Sequence, residues 1–269
     1  AIELAAEIRR RQISGELEMK HNLLIGLWSG EEMGLLGSNY FVENKLGDEN
    51  KRPIAYLNMD MVGRLSTSLI LQGAGSSSEW PAILETAALP LRLNVRLQDD
   101  SYLPTDATSF YLKKVPVLSA FTGAHSEYHT PRDTPEKLNY DGLKSIADLM
   151  TELAAQLLSR DEPLEYAEME RPKNLGRRAH MRAYLGTIPD YADSSVAGVK
   201  LSGVAAGGPA ATGGVKGGDI IVELDGKKVE NNYDYTYAIE AVKIGEEVEM
   251  KVRRGSEIIS LKITPGSRE

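Results

Sequence analysis

Between Ala1 and Leu158 the hydrophobic pattern alternates between the period of a strand and that of a helix, and few folds accommodate that alternation. Residues 1–12 have helical spacing. Residues 22–29 (NLLIGLWS) form a continuous apolar run of strand length, which predicts a strand covered on both faces. Helical spacing returns over 33–44, and residues 54–61 and 69–72 read as strands. Residues 78–88 read as a helix with Pro81 in its first turn. A strand over 91–97, a short helix over 108–113, a strand over 115–121 and a long amphipathic helix over 140–158 complete the series. Such a series predicts an α/β layered domain around a mostly parallel sheet.

The texture then changes. Residues 161–182 are rich in charge and proline and read as a linker, with some helix. From Ala183 onward short strands are split by glycine-rich turns, with Asp225-Gly226 among the turn signals. The chain therefore divides into 1–160, a linker over 161–182, and a small β-rich module over 183–266. A formal net charge of −8 with no Lys/Arg tract argues against nucleic acid as a partner. No cysteine is present, so disulfides and Cys-ligated zinc are excluded. The longest apolar runs fall short of a membrane span. The chain opens in the middle of an amphipathic helix, without a cap, and this predicts that sequence has been lost upstream, with any targeting signal.

The chemistry concentrates after the first predicted strand. In Trp28-Ser29-Gly30-Glu31-Glu32-Met33-Gly34-Leu35-Leu36-Gly37-Ser38, two adjacent carboxylates follow a strand end, where ligand sites of open α/β sheets lie. Asp60 sits near the end of the strand in NMDMVG, and His129 follows Tyr128 in the YHTPRDT loop. Glu, Asp and His without Cys is a ligand set suited to catalytic zinc. Read singly, Glu31-Glu32 could be a solvated helix start, Asp60 a capped buried acid, and His129 a structural loop residue. Trp28 and Trp80 read as core residues.

The three motifs GEEMGLLGS, NMDMVG and YHTPRDT, in this order, resemble metallopeptidase family 28, the di-zinc aminopeptidase group, which also includes carboxypeptidases and glutaminyl cyclases. The resemblance covers about 1–158 and implies a three-layer zinc-exopeptidase domain. By position it implies Glu31 as general base, Glu32 as ligand of one zinc with His129, and Asp60 as ligand of the other. It implies an oxyanion-stabilising role for Tyr128. Asp106, in Thr105-Asp106-Ala107-Thr108-Ser109-Phe110, falls where the family often has a Ser-Asp-His-Phe-like stretch; the histidine is absent, and Asp106 is left a supporting role. Two further family ligands, a His in a His-x-Asp stretch and a bridging Asp in an Asp-Asn-x-Ser-Gly-like stretch, have no counterpart here. With two zincs expected in a complete site, this chain alone is expected to bind zinc poorly, to be inactive, and to expose an unpaired sheet edge.

The segments GGPAA, KGGDIIVELDG and VRRG, in order, resemble the PDZ domains of bacterial proteases over about 182–265. Such domains bind carboxyl-terminal peptides by adding a strand to a sheet edge. The resemblance implies that Leu185, Gly186, Thr187 and Ile188 form the carboxylate loop. Leu185 and Ile188 would line its pocket, and the helix around 235–242 would form the opposite wall. The expected partners are thus peptide substrates and a carboxyl-terminal peptide ligand. The resemblance also favours an extracytoplasmic location. A carboxypeptidase or glutaminyl cyclase on the same fold, or a non-catalytic peptide-binding protein, stands as the alternative.

Overall fold

The computed structural model describes residues 1–46, 52–91, 93–125, 127–128, 131–170, 183–190 and 196–267. The chain divides into two compact units, one of Ala1–Thr122 with Leu138–Arg171, the other of Gly123–Lys137 with Pro172–Glu269.

The first unit carries α1 (Ile2–Ser14), α2 (Leu36–Asn44), β1 (Tyr56–Met59), β2 (Leu69–Gln72), α3 (Trp80–Ala88), β3 (Val95–Gln98), α4 (Ala107–Tyr111), β4 (Val117–Phe121) and α5 (Tyr140–Ser159). The strands form one sheet in the order β1-β4-β2-β3. β1 runs parallel to β4 and β2 parallel to β3, while β2 meets β4 antiparallel, so the sheet is mixed. The two inner strands, VLSAF and LILQ, are buried at every residue, as strands covered on both faces are.

Helix α5 supplies the core's largest apolar face, through Ile146, Leu149, Met150 and Leu153. Trp80 is fully buried as expected, and its Nε1 donates to the Ser76 hydroxyl at 3.0 Å. Asn139 caps α5: its Oδ1 accepts from the Gly142 N–H at 2.8 Å and its Nδ2 donates to the Leu65 carbonyl at 2.7 Å. Asn139→Ala is expected to destabilise the first unit by about 1 kcal/mol, read as a lower urea midpoint at unchanged slope.

Two expectations need correction. Residues 22–29 form no strand: no ladder partner engages them, and Leu24 and Leu27 are 67% and 79% exposed. An apolar run becomes a strand only where a neighbour completes its hydrogen bonds, and among the described residues the sheet ends at β1. The second helix starts at Leu36 rather than Met33, because Gly34 and Leu35 take positive φ values of 101° and 60° that no helix admits. The segment read as linker is packed on the first unit as far as it is described. Leu164 is buried, and the Ala167 N–H donates to the Ser76 carbonyl at 2.8 Å.

The second unit carries β5 (Ala183–Tyr184), β6 (Thr187–Pro189), β7 (Val199–Val204), α6 (Pro209–Thr212), β8 (Ile220–Leu224), β9 (Lys227–Lys228), α7 (Asn232–Ala241), β10 (Val248–Arg254), β11 (Glu257–Ile263) and β12 (Gly266–Ser267). Its main sheet runs β11-β10-β8-β7-β6, with β9 paired to β8 and β12 to β5. The core gathers Leu201, Ile221, Tyr235, Ala238, Met250 and Val252. Beneath it Asp219, 1% exposed, receives Arg254 on both oxygens at 2.7 Å. Burial alone would raise the Asp219 carboxyl; the Arg254 guanidinium and the Lys216 N–H together hold it below the usual carboxylate range. Among the described residues no helix is long and apolar enough to cross a membrane.

Candidate active site and peptide-end loop

The acidic turn is built by its backbone. The Gly34 and Leu35 N–H groups both donate to the Glu31 carbonyl, at 3.0 and 2.9 Å, and the Leu36 N–H donates to the Gly30 carbonyl at 3.1 Å. Gly37 lies against the chain entering this turn: a Cβ there would sit 2.8 Å from the Ser29 nitrogen and 2.9 Å from its oxygen. The turn therefore holds Glu31 half-buried and Glu32 exposed, just ahead of α2. Asn39, Ser109 and Ser38 brace it from behind. The Asn39 Nδ2 donates to the Gly34 carbonyl at 3.1 Å, the Ser109 hydroxyl donates to Asn39 Oδ1 at 2.8 Å, and Ser38 and Ser109 share a hydrogen bond of 2.9 Å.

Aromatic packing brings this turn to the sheet. Trp28 Nε1 donates to the Tyr56 hydroxyl at 3.0 Å, and Tyr56 stacks on Phe110 with ring centres 4.0 Å apart. Phe41, from α2, lies 5.1 Å from the Trp28 ring. Trp28 on one side and β1 on the other are thereby joined through Tyr56. From Tyr56 a chain of hydrogen bonds runs along the sheet: the phenol donates to Asn58 Oδ1, and Asn58 Nδ2 donates to the Ser119 hydroxyl, both at 3.1 Å.

Asp60 follows directly on β1, where its N–H donates to the Ala120 carbonyl at 3.2 Å and its side chain is exposed. Burial pushes the Tyr56 phenol up to about 12, and the charges of Asp106 and Asp60 act in the same direction, against the Trp28 hydrogen bond. Both carboxylates are thus within electrostatic reach of one phenol, which stays protonated at neutral pH. Asp106 precedes α4.

Of the remaining predicted residues of this site, Tyr128 falls in the other unit. Tyr128 lies in the stretch Gly123–Lys137, where its N–H donates to the His125 carbonyl at 3.1 Å. In the same stretch the His125 ring lies between Glu127, at 3.5 Å, and Asp133, at 3.7 Å, and Lys137 pairs with Glu127 at 2.7 Å. His129 lies outside the described residues. The structure thus sets Glu31 and Glu32 on a turn whose preceding Trp28 is tied to Tyr56, places Asp60 and Asp106 within electrostatic reach of that phenol, and groups Tyr128 with the second unit. Among the described residues no three His, Cys, Asp or Glu side chains come together as a metal site. The carboxylates of the first unit are of the right type for a divalent metal, but a catalytic zinc takes three protein ligands, and the described residues do not fit a complete zinc site.

In the second unit the predicted loop runs into the edge strand: Leu185 and Gly186 precede β6, and Thr187 and Ile188 belong to it. Leu185 and Ile188 are buried, each 3% exposed, and Gly186 has φ +74°, the left-handed conformation that glycine adopts without strain. The Gly186 carbonyl accepts from the Ala205 N–H at 2.7 Å and the Leu185 carbonyl from Ala210 at 2.8 Å. Thr187 Oγ1 lies 2.6 Å from the Tyr235 hydroxyl of α7.

The residues that sequence reasoning missed are Tyr56, Phe41 and Phe110, together with Asn39 and Ser109. The sequence carries no signal for Phe110, which lies far along the chain from the acidic turn and meets Trp28 only in the fold.

Comparison with known proteins gives both parts a family. The pattern of peptidase family M28 matches residues 2–154, and that of the PDZ domain matches residues 172–264. A probable leucine aminopeptidase 2 of Aspergillus fumigatus is 30% identical over 122 residues, 40% of this chain and 23% of that protein. An aminopeptidase of Pseudomonas aeruginosa is 44% identical over 50 residues, 18% of this chain and 9% of that protein. BSAP, a zinc aminopeptidase from Bacillus subtilis, overlays with a TM-score of 0.44 at 24% identity, covering 54% of this chain and 38% of that one. The chain spans about a quarter of the length of the first curated relatives it matches.

Proposed function

The chain belongs to peptidase family M28 and carries a PDZ domain behind the peptidase part, and on that premise we propose that it supplies the general base and two ligand carboxylates of a zinc-dependent aminopeptidase site. The observation that carries the reading is the acidic turn: Glu31 and Glu32 are presented at one place by a backbone-built loop that Trp28 ties to the start of β1, while Asp60 leaves the other end of the same strand.

Glu31 takes a proton from the attacking water and returns it to the leaving amine, which requires one carboxylate that is ionised and reachable. Tyr128, as a phenol donor, stabilises the oxyanion. Glu32, Asp60 and His129 are the residues that would hold zinc. Among the described residues that set is incomplete. The PDZ domain, through Leu185, Gly186, Thr187 and Ile188, binds the carboxyl end of a peptide and brings the peptidase to it. An extracytoplasmic location belongs to the same proposal.

A substrate pair tests the activity: leucine p-nitroanilide and its N-acetyl form, offered to a version of this chain preceded by the two family stretches it lacks. The aminopeptidase reading expects cleavage of the free amine alone. Equal cleavage of both, or cyclisation of an N-terminal glutamine peptide in place of cleavage, would sink it. One observation favours a second reading, a non-catalytic peptide-binding protein: the two further family ligand stretches, His-x-Asp and Asp-Asn-x-Ser-Gly-like, have no counterpart in this sequence. That reading expects peptide binding without turnover in either version.

A further inference from the structure

Among the described residues no strand pairs with the outer side of β6, whose Ile188 and Pro189 are buried and Thr187 half-buried, and that edge lacks one donor. β6 closes the strand order, and its pairing with β7 is antiparallel. In such a ladder, residues that exchange hydrogen bonds alternate with residues whose N–H and C=O point away from the partner. The Ala205 N–H donates to Gly186, and the Asp190 N–H donates to Lys200 at 2.8 Å, so Gly186 and Asp190 belong to the inward set. Ile188, opposite Gly203, belongs with them. Thr187, opposite Val204, and Pro189, opposite Leu201, turn their backbone groups outward. The register shift between Ile188 and Pro189 leaves this parity intact, because the extra residue lies on β7. Thr187 can offer an added strand both an N–H and a C=O. Pro189 can offer only a C=O. The α7 helix stands beside this edge, since Thr187 Oγ1 and the Tyr235 hydroxyl are hydrogen-bonded.

We propose that Pro189 limits this groove to the last three residues of a carboxyl-terminal peptide, and so sets how much of its ligand the PDZ domain reads. The inference rests on the reading of the Leu185–Ile188 loop as a peptide-end site. An incoming antiparallel strand with its carboxylate at that loop pairs its last residue with Thr187. Its next hydrogen-bonding residue, two positions upstream, falls opposite Pro189. There the ligand's N–H finds the Pro189 carbonyl, but its own carbonyl meets a proline ring in place of a donor. An acceptor desolvated without a partner is costly, and the ligand leaves the edge at that point. An edge proline also discourages sheet-to-sheet aggregation; that role by itself predicts an unchanged affinity series in Pro189→Val.

The test is an NMR titration of the full chain with alanine-rich peptides of three, five and seven residues, each ending in a free leucine carboxylate, with the seven-residue amide as control. The three free peptides are expected to bind with affinities equal within about 2-fold. In Pro189→Val, whose side chain is of similar size and whose N–H is restored, the five- and seven-residue peptides should bind about 2- to 10-fold tighter while the tripeptide is unchanged. A heptapeptide already more than about 10-fold tighter than the tripeptide in the parent chain would overturn the length limit, as would an unchanged affinity series in a folded Pro189→Val. If Pro189→Val does not fold, the parent length series decides alone. Failure of every peptide to bind, or equal binding of the amide, overturns the peptide-end reading itself.

Discussion

Glu31→Gln lowers kcat on leucine p-nitroanilide by about 10²- to 10⁴-fold, with KM changed little, in the version that carries the upstream family stretches. The loss is the share of the rate that a positioned base contributes by moving a proton in the transition state, and glutamine keeps the shape while removing the acceptor. The substitution leaves the turn standing. The hydrogen bonds that form it run from Gly34 and Leu35 to the Glu31 main-chain carbonyl, not to its carboxylate. Glu31 is half-buried, so the exchange also costs little in packing. Glu32→Gln should differ in kind: it should weaken zinc retention, and added zinc should restore part of the rate, whereas no zinc concentration should rescue Glu31→Gln. A loss below about 10-fold would remove Glu31 from the role of base.

Arg254→Met destabilises the second unit by about 3 kcal/mol, which for a domain of this size lowers its melting temperature by more than about 10 °C. The reason is the charge left behind. Asp219 is 1% exposed and is held by Arg254 on both oxygens. Removing the guanidinium leaves that carboxylate, among the described residues, with the Lys216 N–H at 2.9 Å as its hydrogen-bond donor. The guanidinium itself is about a third exposed, and for that reason the lower part of the range for buried pairs is used. The sign of the pH effect follows from the depressed Asp219 carboxyl. Its contribution is fully present above the unfolded carboxylate value of about 4 and is lost as pH falls through the lower folded value. The parent domain should therefore lose stability on acidification below about pH 4, and Asp219→Asn should show a flatter profile over that window. Arg254→Met melting within about 2 °C of the parent would show the pair to be dispensable.

The sequence made most of the first unit legible because its elements are encoded locally. The apolar runs at 69–72 and 115–121 became the two inner strands, and the 3.6-residue pattern over 140–158 became α5. Residues 22–29 carry an equally strong strand pattern and form none, since a strand also needs a ladder partner, which no local pattern encodes. The helix start was misplaced for a related reason: Leu35 at φ 60° is a conformation its type rarely takes, and it is held by hydrogen bonds to Glu31 and from Asn39 rather than by propensity. The acidic residues were readable as a motif. What positions them was not, because Trp28, Tyr56 and Phe110 meet across 82 positions of chain in contacts no spacing rule foresees. The same holds for Met169, whose N–H reaches the Tyr111 hydroxyl at 2.7 Å from a segment whose composition reads as linker. In the second unit the glycine-rich turns and alternating strands were plain, but the outward parity of Pro189 emerges only once β6 is registered against β7.

The measurement that bears most directly on the central claim is zinc content and leucine p-nitroanilide hydrolysis of this chain beside the version preceded by the two family stretches. The account predicts substoichiometric zinc and no turnover for the chain alone, and about two zincs per molecule with hydrolysis for the other. Zinc bound without cleavage in the longer version, or equal cleavage by both, would contradict it.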